Sequence, residues 1–130
     1  MKPTLAAYAA ALVAMGVLDA LWLGYIAKPL YQQGIGHLMA DKTYLPAAVV
    51  FYLLFPIGVL VFAVQPDRAW GATLAAAALF GFFTYATYDL SNLATLKGWP
   101  VGLAAIDIAW GTFLSTACAA AAKFAMTSVR

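Results

Sequence analysis

The sequence predicts an all-α membrane protein in which four transmembrane helices form an antiparallel bundle, with long loops between helices 1 and 2 and between helices 3 and 4 on one side. Three observations support this fold class. Of the 130 residues, 65% are hydrophobic and only 9% are charged, whereas an ordinary soluble domain is about 25% charged. The acidic residues are all Asp, with no Glu. The apolar residues occur in blocks of about 20, the length that crosses a bilayer. A soluble enzyme domain, a disordered chain and a nucleic-acid-binding protein, which would carry basic clusters, are excluded.

Four apolar blocks are long enough to cross a membrane. They are residues 4–27, 45–64, 70–90 and 101–123. The blocks are rich in Ala and Leu and show no period-two alternation, which favours helices over strands. A polar turn at 65–69, which contains a proline, separates the second and third blocks. We expect one transmembrane domain over residues 1–130, with the first block retained as a helix rather than removed as a signal peptide.

Details within the blocks predict how the helices pack. Pro56 lies inside the second block, where it removes a backbone hydrogen bond to Tyr52 and predicts a kink. Small residues, including Gly16, Gly81 and Gly111, are expected to let helix backbones approach closely in lipid.

The number of blocks also fixes which segments share a side of the membrane. Both termini and the turn at 65–69 lie on one side, and the longer loops, 28–44 and 91–100, lie on the other. The terminal side carries four Lys and Arg residues and the loop side carries three. This small excess favours cytoplasmic termini.

Three aspartates fall inside the blocks: Asp19, Asp89 and Asp107. With a rise of about 1.5 Å per residue, all three lie in the leaflet nearer the longer loops. Ionisable residues in a membrane are costly and usually functional. Since no Lys or Arg lies at the depth of Asp19 or Asp107, at least one of the three carboxyl groups is expected to hold a proton.

Aromatic and polar residues accompany these aspartates. In the third block and just beyond its end, Tyr85, Tyr88, Asp89 and Asn92 follow the i, i+3, i+4, i+7 spacing of one helix face. Such a stripe is expected to face the bundle interior, because a carboxyl group that faces lipid would have no partner.

The pattern Asp-x-x-Trp occurs twice, as Asp19 with Trp22 and as Asp107 with Trp110. The first and fourth blocks run in opposite directions. If they are neighbours, each indole N–H can donate to the carboxyl group of the other helix, from Trp22 to Asp107 and from Trp110 to Asp19. Such a network serves structure or function equally well.

Other polar and aromatic residues carry weaker expectations. His37 is predicted to be a solvated loop residue, and no metal site is expected because metal sites usually need three or four ligands. An interfacial aromatic belt is expected from five residues: Tyr25, Tyr31, Tyr44, Trp70 and Trp99. The single Cys118 cannot form an internal disulfide. The sequence identifies no cofactor.

The segment from Tyr85 to Pro100, YATYDLSNLATLKGWP, is distinctive, and DIAWG follows it at residues 107–111. With these motifs, with Asp19 and Trp22, and with FYLLFPIG at residues 51–58, the chain resembles the bacterial membrane proteins of domain-of-unknown-function family 2177. The resemblance covers nearly the whole chain. It implies a small four-helix protein of the bacterial inner membrane, and it carries over no catalytic residue or substrate.

The leading functional hypothesis is a site that binds or moves a small cationic or amphipathic molecule, with coupling to protons as an option. The candidate residues are Asp19, Trp22, Tyr85, Tyr88, Asp89, Asn92, Asp107 and Trp110. Two alternatives stay open: a membrane enzyme that acts on a lipid or isoprenoid, and an accessory subunit or assembly factor of a larger membrane complex. The expected partners are the lipid bilayer, a small-molecule or lipid ligand, and further copies or a larger complex, but not nucleic acid.

Overall fold

The computed structural model describes residues 1–130 and consists of helices without strands. The five helices are α1 (Lys2–Ile26), α2 (Lys28–Ile35), α3 (Leu45–Val64), α4 (Trp70–Thr95) and α5 (Val101–Val129). All except α2 are long and apolar enough to cross a membrane. These four helices alternate in direction along the chain, so the predicted fold class, a four-helix antiparallel membrane bundle, is confirmed.

Prolines mark where most of the helices begin. Pro3, Pro29 and Pro46 lie in the first turns of α1, α2 and α3, and Pro100 immediately precedes α5. A proline suits these positions because its φ angle is already helical and because the first N–H groups of a helix have no partner within the helix.

The helices extend beyond the predicted blocks. Helix α4 continues past residue 90 to Thr95, and α5 continues past residue 123 to Val129. The hydroxyl groups of Ser91 and Thr95 donate to backbone carbonyls of the preceding turn, so polar residues continue α4 after the apolar block has ended. The loop predicted at 28–44 contains α2, whose start is marked by Pro29.

The half of the bundle that contains both termini and the turn at 65–69, here called the terminal half, is packed with small and apolar side chains. Its core is a single cluster: Ala7, Ala11, Met15, Phe55, Val59, Leu60, Ala63, Val64, Ala77, Leu114, Cys118, Ala119, Ala122 and Met126. Near the middle of the bundle, Gly81 lies directly against the backbone of Gly111. Gly16 makes no such approach and faces outward, so the expectation for this glycine was wrong.

The terminal half also buries one positive charge. Lys123 is only 5% exposed. Its ammonium group donates to the backbone carbonyl of Arg68 at 2.5 Å and to the hydroxyl of Thr73 at 3.3 Å. It also lies 5.5 Å from the ring centroid of Trp70. Lys123 therefore ties the end of α5 to the α3–α4 turn, and three different acceptors share its charge.

Two of the spanning helices end in wider, π-type turns: α1 at Trp22–Ile26 and α3 at Leu60–Val64. Pro56 is buried one turn before the second of these. Turns of this kind are frequent near functional sites. The first of them begins at Trp22, next to the cavity described below.

Candidate functional site

The other half of the bundle, which contains α2 and the α4–α5 loop and is here called the loop half, encloses a cavity of about 440 Å³. Its walls come from all five helices and from the α4–α5 loop, and most of the lining residues are hydrophobic. This volume lies within the range of small-molecule sites, which are typically mostly apolar with a few polar groups that fix orientation.

Three carboxyl groups from three different helices line this cavity: Asp19 of α1, Asp89 of α4 and Asp107 of α5. They are 6%, 1% and 7% exposed, respectively. The lining contains no Lys, Arg or His. A buried carboxylate is costly unless it is paired and hydrogen-bonded, so the partners of these three groups decide what the site can do.

The carboxyl groups of Asp19 and Asp107 are held by hydrogen bonds that join α1, α2 and α5. The indole N–H of Trp110 donates to Asp19 Oδ1 at 3.0 Å, as the Asp-x-x-Trp pattern predicts. The indole of Trp22 does not reach Asp107. It donates at 3.3 Å to the hydroxyl of Tyr31, which in turn donates to Asp107 Oδ1 at 2.5 Å.

The two indole rings also contact each other. Trp22 and Trp110 stack with ring centroids 4.3 Å apart and planes only 4° from parallel. The stack fixes the position of the N–H group that serves Asp19. The two Asp-x-x-Trp motifs therefore form one cross-connected unit.

Tyr31 comes from the short helix α2, outside the spanning segments. Burial and the adjacent Asp107 raise the pKa of the Tyr31 phenol well above its usual range. The phenol therefore stays neutral at physiological pH and acts as a donor to Asp107. Tyr31 was predicted to lie in the interfacial belt, and this prediction was wrong because α2 folds back over the cavity.

The third carboxyl group differs from the other two. Asp89 is the most deeply buried, and its Oδ2 atom has no hydrogen-bond partner. The indole N–H of Trp99 is also buried without a partner, although it lies beside Asp89. On the other side, the Asp107 carboxyl group neighbours that of Asp89. The cavity thus contains an unused acceptor and an unused donor next to each other.

The α4–α5 loop brings Trp99 into the cavity wall. The preceding residue, Gly98, has a φ angle of +73°, a backbone conformation that glycine adopts without the steric cost of a Cβ atom. This turn directs the chain back toward the bundle. Trp99 was expected in the interfacial belt, but it is buried, so that expectation was also wrong.

Aromatic rings of α3 and α4 form the remaining walls. The Tyr52 phenol neighbours Asp19, and the Tyr85 ring lies edge-on to Phe55 with centroids 6.1 Å apart. Tyr85 also lies against Gly111, where a Cβ atom would overlap its ring. Gly111 therefore lets the Tyr85 ring reach its position in the wall.

The cavity includes most of the residues singled out from sequence. Six of the eight candidates line it: Asp19, Tyr85, Tyr88, Asp89, Asp107 and Trp110. Trp22 lies behind the wall, where it stacks on Trp110. Asn92 is half-buried and neighbours Tyr88, outside the cavity lining. Tyr31, Tyr52 and Trp99 also line the cavity and were not among the predicted site residues. Of these three residues, only Tyr31 lies just after a sequence signal that could have placed it, because Lys28-Pro29 is typical of the start of a helix.

Other titratable groups lie apart from the cavity. His37 is exposed in the first loop, and Cys118 is buried in the core of the terminal half. No three His, Cys, Asp or Glu side chains come together in a way that would hold a metal ion. The polar groups that line the cavity are three carboxyl groups, the threonine hydroxyl, four phenols and two indoles.

Comparison with known proteins shows which family the chain belongs to. The family described as predicted membrane protein (DUF2177) matches residues 4–124, nearly the whole chain. No curated protein and no solved structure matches the chain significantly. The chain belongs to this membrane-protein family, as its third-block motif indicated.

Proposed function

We propose that this membrane protein binds a small cationic or amphipathic molecule in the cavity of the loop half, and that it moves this molecule in exchange for protons. The observation that carries the proposal is the composition of the cavity, in which three buried carboxyl groups face one space without any basic side chain. A cationic ligand would neutralise groups that the protein itself leaves without a counter-charge.

The aromatic walls support the same class of ligand. Tyr52, Tyr85 and Trp110 surround the carboxyl groups. Phenol and indole rings attract cations through their faces, most strongly where water is excluded. A carboxyl group bordered by aromatic rings therefore suits an ammonium group attached to an apolar body.

Coupling to protons follows from the same shortage of basic residues. When no cation is bound, a proton is the remaining means of neutralising Asp89 and Asp107, which lie side by side. Arrival of a cation would then release a proton from this pair. Binding should consequently weaken as the pH falls, because protons and the cation compete for the same oxygens.

We further propose that the protein lies in the bacterial inner membrane with both termini in the cytoplasm. The terminal side carries the larger number of basic residues. In this orientation the carboxyl groups lie in the leaflet away from the cytoplasm. Cysteine accessibility at the exposed residues Asp41 and Asp67, on opposite sides, tests the orientation.

The test of ligand binding uses benzylammonium and 4-octylbenzylammonium as probes. Binding of each tritiated probe to purified protein in phosphatidylcholine vesicles is measured against protein-free vesicles. Asp89→Asn and Asp107→Asn should each weaken binding of at least one probe by at least 10-fold. The exposed loop acid Asp41 provides the matched control, and Asp41→Asn should stay within 2-fold of the unmodified protein.

Two results would contradict the proposal. In the first, the two probes either do not bind or bind independently of the carboxyl groups. In the second, Asp19→Asn, Asp89→Asn and Asp107→Asn all retain full binding and change only thermal stability, since the carboxyl network would then be structural. Proton release measured on probe binding in weakly buffered vesicles tests the coupling. Binding without proton release and without pH dependence would exclude it.

A further inference from the structure

The cavity has a side opening at mid-membrane depth. Thr84 lines the cavity and is exposed, although it lies near the middle of α4. Phe51 of α3 also lines the cavity and is 42% exposed. Residues at this depth of a spanning helix that are not covered by protein face the hydrocarbon of the bilayer. The cavity therefore opens toward the lipid phase at the level of Phe51 and Thr84.

The opening lies between α3 and α4, which diverge toward the loop side. Their backbones approach closely along Leu60–Val64, next to the α3–α4 turn. Closer to the loop side, only side chains bridge the two helices. The ring centroids of Phe55 and Phe80 are 5.4 Å apart. Beyond that level Phe51 and Tyr88 flank the gap, and Tyr88 is 53% exposed. The gap is thus closed at its base and open above it.

The polarity of the cavity changes from its interior to this gap. The deepest groups are the carboxyl groups, among them the unpartnered Oδ2 of Asp89 on α4. The groups at the gap are Phe51, Phe55 and Thr84, and the hydroxyl of Thr84 is occupied by the carbonyl of Phe80 at 2.9 Å. The gap therefore offers mainly apolar surface to a ligand, with the Tyr88 ring at its edge, whereas the interior offers the carboxyl groups and an unpartnered acceptor.

Building on the proposed function, we propose that the ligand is a lipid-dissolved ammonium ion with an apolar chain, and that it reaches the cavity sideways between α3 and α4. The ammonium group donates to Asp89 while the chain stays in the gap. An ammonium ion with N–H donors is required because the Asp89 acceptor needs a hydrogen-bond donor, which a quaternary ammonium lacks.

The chain provides a matched pair of positions for the test. Thr84 and Thr87 both lie on α4, are exposed, and donate their hydroxyl to the carbonyl four residues earlier. Only Thr84 lines the cavity. Thr84→Trp should obstruct the gap, and Thr87→Trp should place the same ring on the lipid-facing surface.

The expected result differs between the two probes used above. Thr84→Trp should weaken binding of 4-octylbenzylammonium by at least 10-fold relative to Thr87→Trp. Binding of benzylammonium, which has no chain to place in the gap, should weaken less than binding of 4-octylbenzylammonium. Equal binding of 4-octylbenzylammonium by the two variants would overturn sideways access. If that binding still depended on Asp89, the proposed function would stand, so the two failures are distinguishable.

A second measurement avoids any effect of the tryptophan on folding. The native Cys118 is fully buried, so a maleimide will modify a cysteine introduced at the surface. Thr84→Cys and Thr87→Cys are purified, modified with N-phenylmaleimide in micelles and then reconstituted. Modification at Thr84→Cys should reduce 4-octylbenzylammonium binding at least 10-fold, and modification at Thr87→Cys should not. Equal effects at both positions would again overturn the proposal.

Discussion

The two halves of the bundle bury charge in opposite ways. In the terminal half, the single buried cation, Lys123, has a carbonyl, a hydroxyl and an aromatic ring as local partners. In the loop half, three carboxyl groups surround a cavity, and Asp89 keeps an oxygen without a partner. A buried group whose hydrogen bonds are all made stabilises the fold, whereas one with an unused atom is available to a ligand.

Packing follows the same division. The terminal half is filled by small side chains such as Ala119 and Ala122, which are fully buried. The loop half contains large aromatic residues that surround a space rather than fill it. Apolar packing should therefore stabilise mainly the terminal half, whereas the loop half is held by hydrogen bonds such as that from Trp110 to Asp19 and should bind the ligand. Four substitutions test this division, beginning with the largest expected effect.

Lys123→Glu should be the most damaging substitution, because it places an acceptor opposite the carbonyl of Arg68 and removes the donor that both acceptors use. A buried charge without a partner, as the Glu carboxylate would be here, costs about 3 kcal/mol or more. The free energy of unfolding, measured by circular dichroism during titration with dodecyl sulfate, should fall accordingly. The exposed Lys97 provides the control, and Lys97→Glu should change stability by less than about 0.5 kcal/mol. Equal stability of the two variants would contradict a structural role for Lys123.

Gly111→Ala should cause the second-largest loss of stability, because this residue lies where the two halves meet. The added methyl group would overlap the Tyr85 ring, and overpacking of this kind costs about 1 to 3 kcal/mol. Probe binding should also weaken, since Tyr85 forms part of the cavity wall. Gly102, on the same helix, has open space around its Cα atom. Gly102→Ala should leave stability unchanged or raise it by up to about 1 kcal/mol. If Gly111→Ala behaves like Gly102→Ala, the close packing of α4 on α5 is not required.

Trp110→Phe removes the N–H donor to Asp19 and keeps an aromatic ring that can stack on Trp22. The loss of one hydrogen bond to a buried carboxyl group should cost about 1 to 2 kcal/mol. Unfolding in dodecyl sulfate measures this cost. Trp70→Phe provides the comparison in the terminal half, where the ring contributes its face to Lys123 and no indole hydrogen bond is involved. Its effect should be smaller. A larger effect at Trp70 would show that the cation–π contact with Lys123 contributes more to stability than the hydrogen bond from Trp110 to Asp19.

Asp89→Asn should have the smallest effect on stability and a large effect on binding. The substitution removes a charge whose Oδ2 atom has no partner, so the free energy of unfolding should stay within about 1 kcal/mol or increase slightly. Probe binding should fall by at least 10-fold. A strong loss of stability with unchanged probe affinity would show that Asp89 has a structural role and does not bind the ligand.

The sequence was sufficient to predict several parts of the site. It placed Asp19, Asp89 and Asp107 at one membrane level because helical rise converts residue number directly into depth. It also predicted the hydrogen bond from Trp110 to Asp19 from the repeated Asp-x-x-Trp pattern on antiparallel helices. The other predicted hydrogen bond, from Trp22 to Asp107, does not form, because Tyr31 from α2 lies between the two side chains.

Tyr31 and Trp99 show why the remainder of the site was not predictable. Aromatic residues near the end of a spanning helix usually lie at the membrane interface, and nothing in their spacing distinguishes the two that turn inward. Their positions depend on α2 folding over the bundle and on the backbone turn at Gly98. Both are tertiary features.

The sequence by itself determined that this chain crosses a membrane four times and buries three acids on one side, because hydropathy and helical geometry are local properties. Only the tertiary structure decided that the terminal half closes into a solid core while the loop half leaves a cavity. That outcome depends on which side chains meet between helices. Ala and Gly allow α4 and α5 to close at Gly81 and Gly111, whereas the rings of Phe55 and Tyr85 leave α3 and α4 apart above them.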